Sequence, residues 1–520
     1  MLISKVFSNS YRDSVMLMRM AGMIRQLEGV ENAEVMIATD ANKTILEFNK
    51  LLTDEIRAST PNDLVISVNA ENREAAEKAI QKAEDLLLHG TGEVKRSMRY
   101  TAKSTSGAFA IEPGANLALL SIPGPLVKKD ALKLLDKGLH LMIFSDNVPI
   151  EEELEIKQKA LEKDLIVMGP DCGTAIINGT ALAFANVVKR GRIGMICASG
   201  TGLQEISALI SNLGGGISHA IGTGGNDVSD AIGGMTMKQG LQWLENDPNT
   251  EIIVIASKPA GKKTMAELQE IIKSCKKKLV VNFLGSGIPV SEDGGIYFTK
   301  TLEETARMAL EIMGISTVSL ENTRNQIPAI AAQEASKHKT EKYLRALYTG
   351  GSLASEAGII CKELLQSINA NVPLKNVESM TDPFRSSANC IVDLGADEFT
   401  LGKPHPMIDP EVKNQRLLQE AKDSEVAVLL LDFVLGYGIH PDPVGVTLPF
   451  IIRAQKIAHD EGRYLTFVAS VTGTDDDPQN RTEQVAMLQQ NGVFVMPTNA
   501  QASLLAAEII LACERREADG

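Results

Sequence analysis

Ile193-Gly194-Met195-Ile196-Cys197-Ala198-Ser199-Gly200-Thr201-Gly202-Leu203-Gln204-Glu205 is the stretch from which the chain's fold is read. A short apolar run ends in small residues, and a helical pattern starts directly behind them. That order predicts a buried strand turning into a helix. Small residues at such a turn let backbone N–H groups face a ligand. The helix N-terminus adds partial positive charge, and Ser199 or Thr201 can cap it. An anion held there is one reading; an ordinary strand-to-helix turn with a serine cap is the other.

The device recurs. Leu347-Tyr348-Thr349-Gly350-Gly351-Ser352-Leu353 repeats it, and Val434-Leu435-Gly436-Tyr437-Gly438 follows another apolar run. Ile221-Gly222-Thr223-Gly224-Gly225-Asn226-Asp227 is a further donor-rich loop. Four such turns in one chain favour a shared anion or phosphate site. Ser199, Gly200, Thr201 and Gly202 form one expected wall. Gly350, Gly351 and Ser352, or Gly436 and Gly438, form the other.

Outward from these turns, short apolar runs alternate with helical stretches. Strands are expected at 33–38, 117–122, 141–144, 165–168, 193–197, 252–256, 279–283, 345–348, 426–432, 465–469 and 493–496, with helices between them. Alternation of this kind predicts an α/β fold of three Rossmann/flavodoxin-like doubly wound domains with parallel sheets. The expected domains are 1–180, with an extension in 1–110, then 181–320 and 341–520. Residues 90–114 read as a surface excursion, and 316–340 as a polar segment containing the linker 321–340. A length of 520 residues suits three domains of about 100–200 residues each. Aromatics make up only 4% of the chain, so the core must rest on Val, Ile, Leu, Met and Ala.

A net charge of −14 argues against nucleic acid or an anionic membrane as the main partner, while leaving room for a small anionic ligand. The six cysteines form no CxxC pair and no metal-ligand spacing, so no metal is expected and a reducing, cytoplasmic setting is. The first residues carry no signal-peptide pattern, and no apolar run reaches the roughly 18 residues of a membrane span.

Among the seven histidines, two sit in suggestive loops. His405 lies in Lys403-Pro404-His405-Pro406, and His440 follows the Gly436–Gly438 turn; each is a candidate acid/base residue, weighed against a plain loop role. Asp475-Asp476-Asp477 reads as a solvated turn before Pro478. No GxSxG, HExxH or Walker A pattern is present.

At these motifs the sequence resembles the succinyl-CoA synthetase family. Residues 116–315 look like its α subunit. Ser121-Ile122-Pro123-Gly124-Pro125 and Phe144-Ser145-Asp146-Asn147-Val148-Pro149 resemble its coenzyme A-contacting loops, and Met168-Gly169-Pro170-Asp171-Cys172 its GPNC segment. Ser199-Gly200-Thr201 resembles the SGT heading its phosphate-facing helix, and the last third resembles the β-subunit ligase domain. The fused order, with TGGSLASEAG and GKPHPMIDP, is similar to the FdrA family. The resemblance implies a CoA-binding-like first domain and two succinyl-CoA-ligase-like domains. It gives Pro123, Gly124, Pro125, Ser145, Asp146, Asn147 and Gln204 as CoA-like or substrate contacts.

Three departures stand beside the match. The family's phosphorylated histidine is missing, since no histidine occurs between His219 and His338. The glycine-rich coenzyme A loop is replaced by Phe7-Ser8-Asn9-Ser10-Tyr11-Arg12-Asp13-Ser14, and Gln204 stands where the family has tyrosine. No ATP-grasp domain is seen, so separate partner subunits and a homo- or hetero-oligomer are expected. The implied activity is group transfer through an acyl or carbamoyl phosphate, with carbamoyl transfer to phosphate in purine or allantoin catabolism as the leading form. A CoA-binding acyl-CoA ligase subunit and a non-catalytic scaffold are the rivals.

Overall fold

Side chains alternate between the two faces of a strand, and the first sheet is built on that alternation. β1 (Leu2–Phe7), β2 (Val30–Ile37) and β3 (Leu64–Ala70) lie in the order β1-β3-β2, with both pairs antiparallel. Leu64, Ile66 and Val68 join Leu17, Met20, Ala76 and Ala79 of two helices in one core, whereas Val65 joins Leu46, Leu51 and Ile56 in another. One apolar strand thus fills two small cores. The computed structural model describes all residues except 9, 11–13, 26, 40–41, 44–45, 48, 90–101, 103, 376, 402 and 520. Parts of the loop 7–14 and of the excursion 90–114 therefore lie outside the described residues.

The chain divides into two compact units: Met1–Thr101 with Thr400–Pro404, and Ala102–Phe399 with His405–Gly520. The parallel, doubly wound class expected from the sequence belongs to the second unit, while the sheet of the first is antiparallel. The three parallel sheets expected from the sequence all lie in the second unit, and the antiparallel sheet lies in the segment 1–110 set apart as an extension, where only the strand at 33–38 was expected.

In the second unit β4 (Leu117–Leu120), β5 (His140–Ile143) and β6 (Val167–Met168) form a parallel three-stranded sheet. The hairpin β7 (Thr174–Ile177) and β8 (Thr180–Ala183) then joins the next sheet, with β9 (Arg190–Cys197), β10 (Ile217–Gly222), β11 (Ile252–Ser257), β12 (Lys278–Phe283), β13 (Ser291–Asp293) and β14 (Ile296–Phe298). Its five parallel strands run β10-β9-β11-β12-β14. The last sheet holds β15 (Tyr343–Tyr348), β16 (Asn369–Ala370), β17 (Glu378–Ser379), β18 (Cys390–Asp393), β19 (Val426–Val434), β20 (Thr466–Thr472) and β21 (Phe494–Met496), all pairs parallel.

Leaving out edge additions, both large sheets have the spatial order 2-1-3-4-5. Each therefore has a switch point beside its first strand, at β9 and at β15, where connections leave to opposite sides and open a crevice at the carboxyl ends. The turns at Ser199–Gly202 and Thr349–Ser352 sit there. β19 is buried along all nine residues, each Val or Leu contributing about 1.5–3 kcal/mol by burial.

The two large domains share one apolar cluster, including Ile193, Ala220, Leu302, Leu353, Ala357 and Ile510. The segment 316–340 is no polar tether. It forms helices Val318–Arg324 and Ile327–Ala335, and Leu320, Ile327, Ala331 and Ala335 are buried in that cluster. Leu320 and Ile327 are seven residues apart, and Ile327, Ala331 and Ala335 four apart, the spacing of one helical face.

Candidate functional site

Ser199 has extended backbone, and its Oγ accepts from Gly202 N at 2.9 Å, opening helix Gly200–Asn212. The amides of Gly200 and Thr201, first in that helix, find no acceptor among the described residues. In the other domain Asp432, fully buried at β19, accepts from Thr349 N at 2.8 Å and from Gly350 N at 2.9 Å. That carboxylate fixes where helix Gly351–Leu364 begins. It also takes the Gly350 amide, so Gly350 shapes the turn and is not a free donor. Gly351 inherits that role.

The two helix starts meet. Ser199 Oγ is hydrogen-bonded to Ser352 Oγ, and Ser352 N lies 3.4 Å from Thr201 Oγ1. Ser352 is buried; Ser199, Gly200, Thr201 and Gly351 are half-buried. Two macrodipoles thus point their positive ends at one place, where Ser199, Gly200, Thr201, Gly351 and Ser352 lie together. Gly202 is buried, its amide already used by Ser199.

Gly436 and Gly438 do other work. Gly436 N donates to Gln479 Oε1 at 3.0 Å, and Tyr437 N donates to Ala185 O at 3.0 Å. Both glycines have positive φ, and a Cβ on Gly438 would lie 2.8 Å from the Phe184 ring. The turn is a close fit between domains, with the Gly436 and Tyr437 amides bonded to protein. Gln204 is likewise buried, donating to Asn186 Oδ1 and Leu435 O, each at 3.2 Å, and so holds the same interface. Asp477, read as solvated, is buried there too. It accepts from Asn186 Nδ2 and Val187 N, each at 2.7 Å, and burial pushes its carboxyl up.

The CoA-like residues form the carboxyl edge of the small sheet. Ser145 Oγ accepts from Ile122 N at 2.9 Å, and Asp171 N donates to Ser145 O at 2.9 Å, knitting the three strand-end loops. A Cβ on Gly124 would fall 2.3 Å from Asn147 O, so only glycine lets that helix start touch the next loop. Pro123, Pro125, Asp146 and Asn147 are exposed, while Gly124 and Ser145 are buried. Phe184 joins this edge to the ligase domain: its ring is 5.1 Å from Phe144 and 6.3 Å from His405.

His405 Nδ1 accepts from Met407 N at 3.2 Å, which leaves the neutral ring's proton on Nε2. Burial lowers its pKa to about 4. The ring is therefore neutral near pH 7, with Nε2 as its donor. Its Nε2 lies 2.7 Å from where a Cβ on Gly395 would stand. His440 Nδ1 accepts from Asp442 N at 3.0 Å, and its backbone bonds Met407 and Gln479, an arrangement that secures a loop.

Sequence reasoning missed three charged residues in this crevice. Asp393 ends β18; Oδ1 accepts from Gly395 N at 2.9 Å, and Oδ2 lies 2.8 Å from where a Cβ on Gly351 would stand. Loss of water raises its pKa to about 6, an effect that Asp432 adds to and Lys258 opposes. Loss of water likewise raises the pKa of Asp171 to about 6, again opposed by Lys258. The signal for Lys258 was its place directly after an apolar strand; for Asp393 the four-residue strand was too short to read.

Among the described residues no group of three or more His, Cys, Asp or Glu is placed to hold a metal.

A fold of doubly wound domains with helix N-termini converging on one crevice defines a class, proteins built from CoA-binding and CoA-ligase domains of the succinyl-CoA ligase type. Residues 188–283 match the family described as CoA binding domain, and 347–509 the family described as CoA-ligase. The first match covers β9 to β12, not the residues 1–180 expected for the CoA-binding-like domain. Residues 1–102 match a family described as AllF, heavy metal-associated domain. That segment has no cysteine, so a thiolate metal site cannot be built from it.

The chain belongs to the family of the uncharacterized protein YahF of Escherichia coli (strain K12), to which it is 41% identical over 511 residues, 98% of each chain. The α subunit of the ADP-forming succinate–CoA ligase of Aquifex aeolicus is 27% identical over 184 residues, 34% of this chain and 59% of that one. The chain thus spans under two thirds of that ligase subunit. Among solved structures, the dinucleotide forming acetyl-coenzyme A synthetase 1 of Ca. Korarchaeum cryptofilum covers 77% of this chain and 83% of its own, at 16% identity and a TM-score of 0.29. No helix in the described residues is long and apolar enough to cross a membrane.

Proposed function

We propose that this chain is an acyl-CoA ligase-type group-transfer protein that holds the phosphoryl group of an acyl phosphate between its two large domains. The observation carrying this reading is the meeting of the two helix starts at Ser199 and Ser352. Amides of Gly200, Thr201 and Gly351 would bind the phosphoryl oxygens. Donors fixed in place stabilise charge that grows on those oxygens as the acyl–oxygen bond breaks, because no reorganisation is needed when it develops. Attack by the thiol of coenzyme A forms the thioester and releases phosphate, with the thiol proton passing to the departing phosphate or to solvent. Pro123, Asp146 and Asn147, exposed at the small sheet's carboxyl edge, are the proposed coenzyme A contacts. A separate subunit supplies the nucleotide chemistry.

A second reading is favoured by one fact: no histidine lies between His219 and His338. Without a covalent relay, phosphate itself can attack an activated carbonyl, as in carbamoyl transfer, with positioning and charge stabilisation sufficing.

Thermal stability with added ligands separates these. Ligand at about 100 times its dissociation constant adds about 2.7 kcal/mol. A shift with coenzyme A that grows with an acyl phosphate supports the ligase. A shift with phosphate and carbamoyl phosphate but not coenzyme A supports the carbamoyl reading. No shift with any of them leaves a scaffold role.

A further inference from the structure

Lys258 stands where the anion site needs a cation. Strand register places it: Ala256 pairs with Cys197 and accepts from Ala198 N at 3.0 Å, so Lys258 leaves β11 beside the strand end that feeds Ser199 and Gly200. Its side chain is exposed. From the other domain, Tyr348 pairs with Asp393, so the Asp393 carboxylate leaves β18 beside the strand end that feeds Gly351. The contact between Ser199 and Ser352 closes the two edges on each other. The Lys258 ammonium acts on both Asp393 and Asp171, yet makes no direct ion pair with either among the described residues.

By contrast, Lys157 and Lys413 are committed. Lys157 is buried, with its Nζ 2.7 Å from Asp227 Oδ1 and 2.9 Å from Glu153 Oε1. Lys413, also buried, donates to Asp432 O at 2.6 Å. Asp393, more than nine-tenths buried, keeps Oδ2 without a hydrogen-bond partner among the described residues, directed at the Gly351 helix start. An unpaired carboxylate oxygen at a helix N-terminus occupies the electrostatic position that a bound anion would take.

We propose that Lys258 is a ligand-contacting residue of the anion site and that Asp393 is its resident counter-charge, the lysine turning from the carboxylates to a phosphate- or sulfate-like dianion when one binds between the helix starts. The inference rests on the proposed function for the site and adds to it the cation and the competing carboxylate. It also sets a pH dependence. Asp393 faces Gly395 and His405 on its own side, Asp432 and Glu398 nearby, and Lys258 across the crevice. His405 is neutral above about pH 4, so it does not titrate in the same range. As pH rises through about 6, Asp393 and Asp171 ionise, hold the lysine and repel the dianion.

The test is calorimetric titration of the full chain with sulfate, which stays a dianion across pH 5.5–8. Wild type should bind saturably, and more weakly as pH rises. Lys258→Ala should weaken binding about tenfold, the worth of one charge-assisted contact, and Lys258→Arg should restore most of it. Asp393→Asn should strengthen binding at pH 7.5 and flatten the pH profile, with Asp171→Asn removing the remainder. Gly200→Val blocks the helix start and reports on the site itself. If Gly200→Val abolishes binding while Lys258→Ala stays within twofold of wild type, the lysine assignment fails and the site stands. If wild type shows no saturable binding, or Gly200→Val leaves it intact, the anion site fails and this inference with it.

Discussion

Asp432 shows how one side chain sets a functional turn. It is fully buried, accepts from three donor groups of the Thr349–Gly350 segment, and has the Lys413 ammonium 3.9 Å from Oδ1. Burial pushes Asp432 up and Lys413 down to about 8, each partly offset by the other's charge. Breaking such a pair strands a charge and two amides. Asp432→Ala should therefore cost about 3–5 kcal/mol in urea unfolding; a loss below about 1 kcal/mol would refute the turn-holding role. Ser199→Ala removes a cap, and with it about 1 kcal/mol. It should also lower anion affinity, because Ser352 loses the partner that holds the two helix starts in register. An unchanged affinity would place the anion elsewhere.

At the scale of elements, the strand-to-helix turns were legible because two periodicities change over within a few residues. The run Ile193–Cys197 gives way to helix Gly200–Asn212, and Arg345–Tyr348 to Gly351–Leu364, as the sequence implies. What each amide bonds was not legible. Gly350 and Gly436 have the same local chemistry as Gly200 and Gly351, but Asp432 and Gln479 reach them from 82 and 43 residues away. Long-range polar partners leave no local trace. The same applies to Asp477, whose run of three aspartates looks solvated until Asn186 arrives from the other domain. Asp477→Ala should destabilise by roughly 1–3 kcal/mol, since one Asn186 Nδ2 proton and the Val187 and Thr474 amides lose their acceptor, as chemical denaturation would register. A neutral outcome would return that turn to solvent.

Across the whole molecule, the two large domains are fastened by buried carboxylates. Glu205 accepts from Asn499 N at 3.1 Å and meets Thr472 Oγ1 at 2.5 Å; Glu356 accepts from Leu302 N at 2.6 Å and Asn499 Nδ2 at 2.8 Å. Loss of water, then the neighbouring Glu205, pushes Glu356 up to about 8 from an ordinary 4.5, and burial raises Glu205 as well. The folded chain thus keeps a proton that the unfolded chain has released. Stability should fall as pH rises from about 4.5 to about 8 and level off above, with a slope of at most about 1.4 kcal/mol per pH unit for each such group. Melting temperatures across pH 5–9 check this. Glu356→Gln should show a shallower decline between pH 6 and 8, whatever its absolute stability; identical slopes in the two proteins would contradict the assignment.

In the proposed function two helix starts from different domains hold one anion, and a crystal structure of the full chain grown with phosphate would test this. Expected is a phosphate within hydrogen-bond distance of the Gly200, Thr201 and Gly351 amides, with the Lys258 ammonium turned toward it. A phosphate bound only elsewhere, with that space filled by protein, would contradict it.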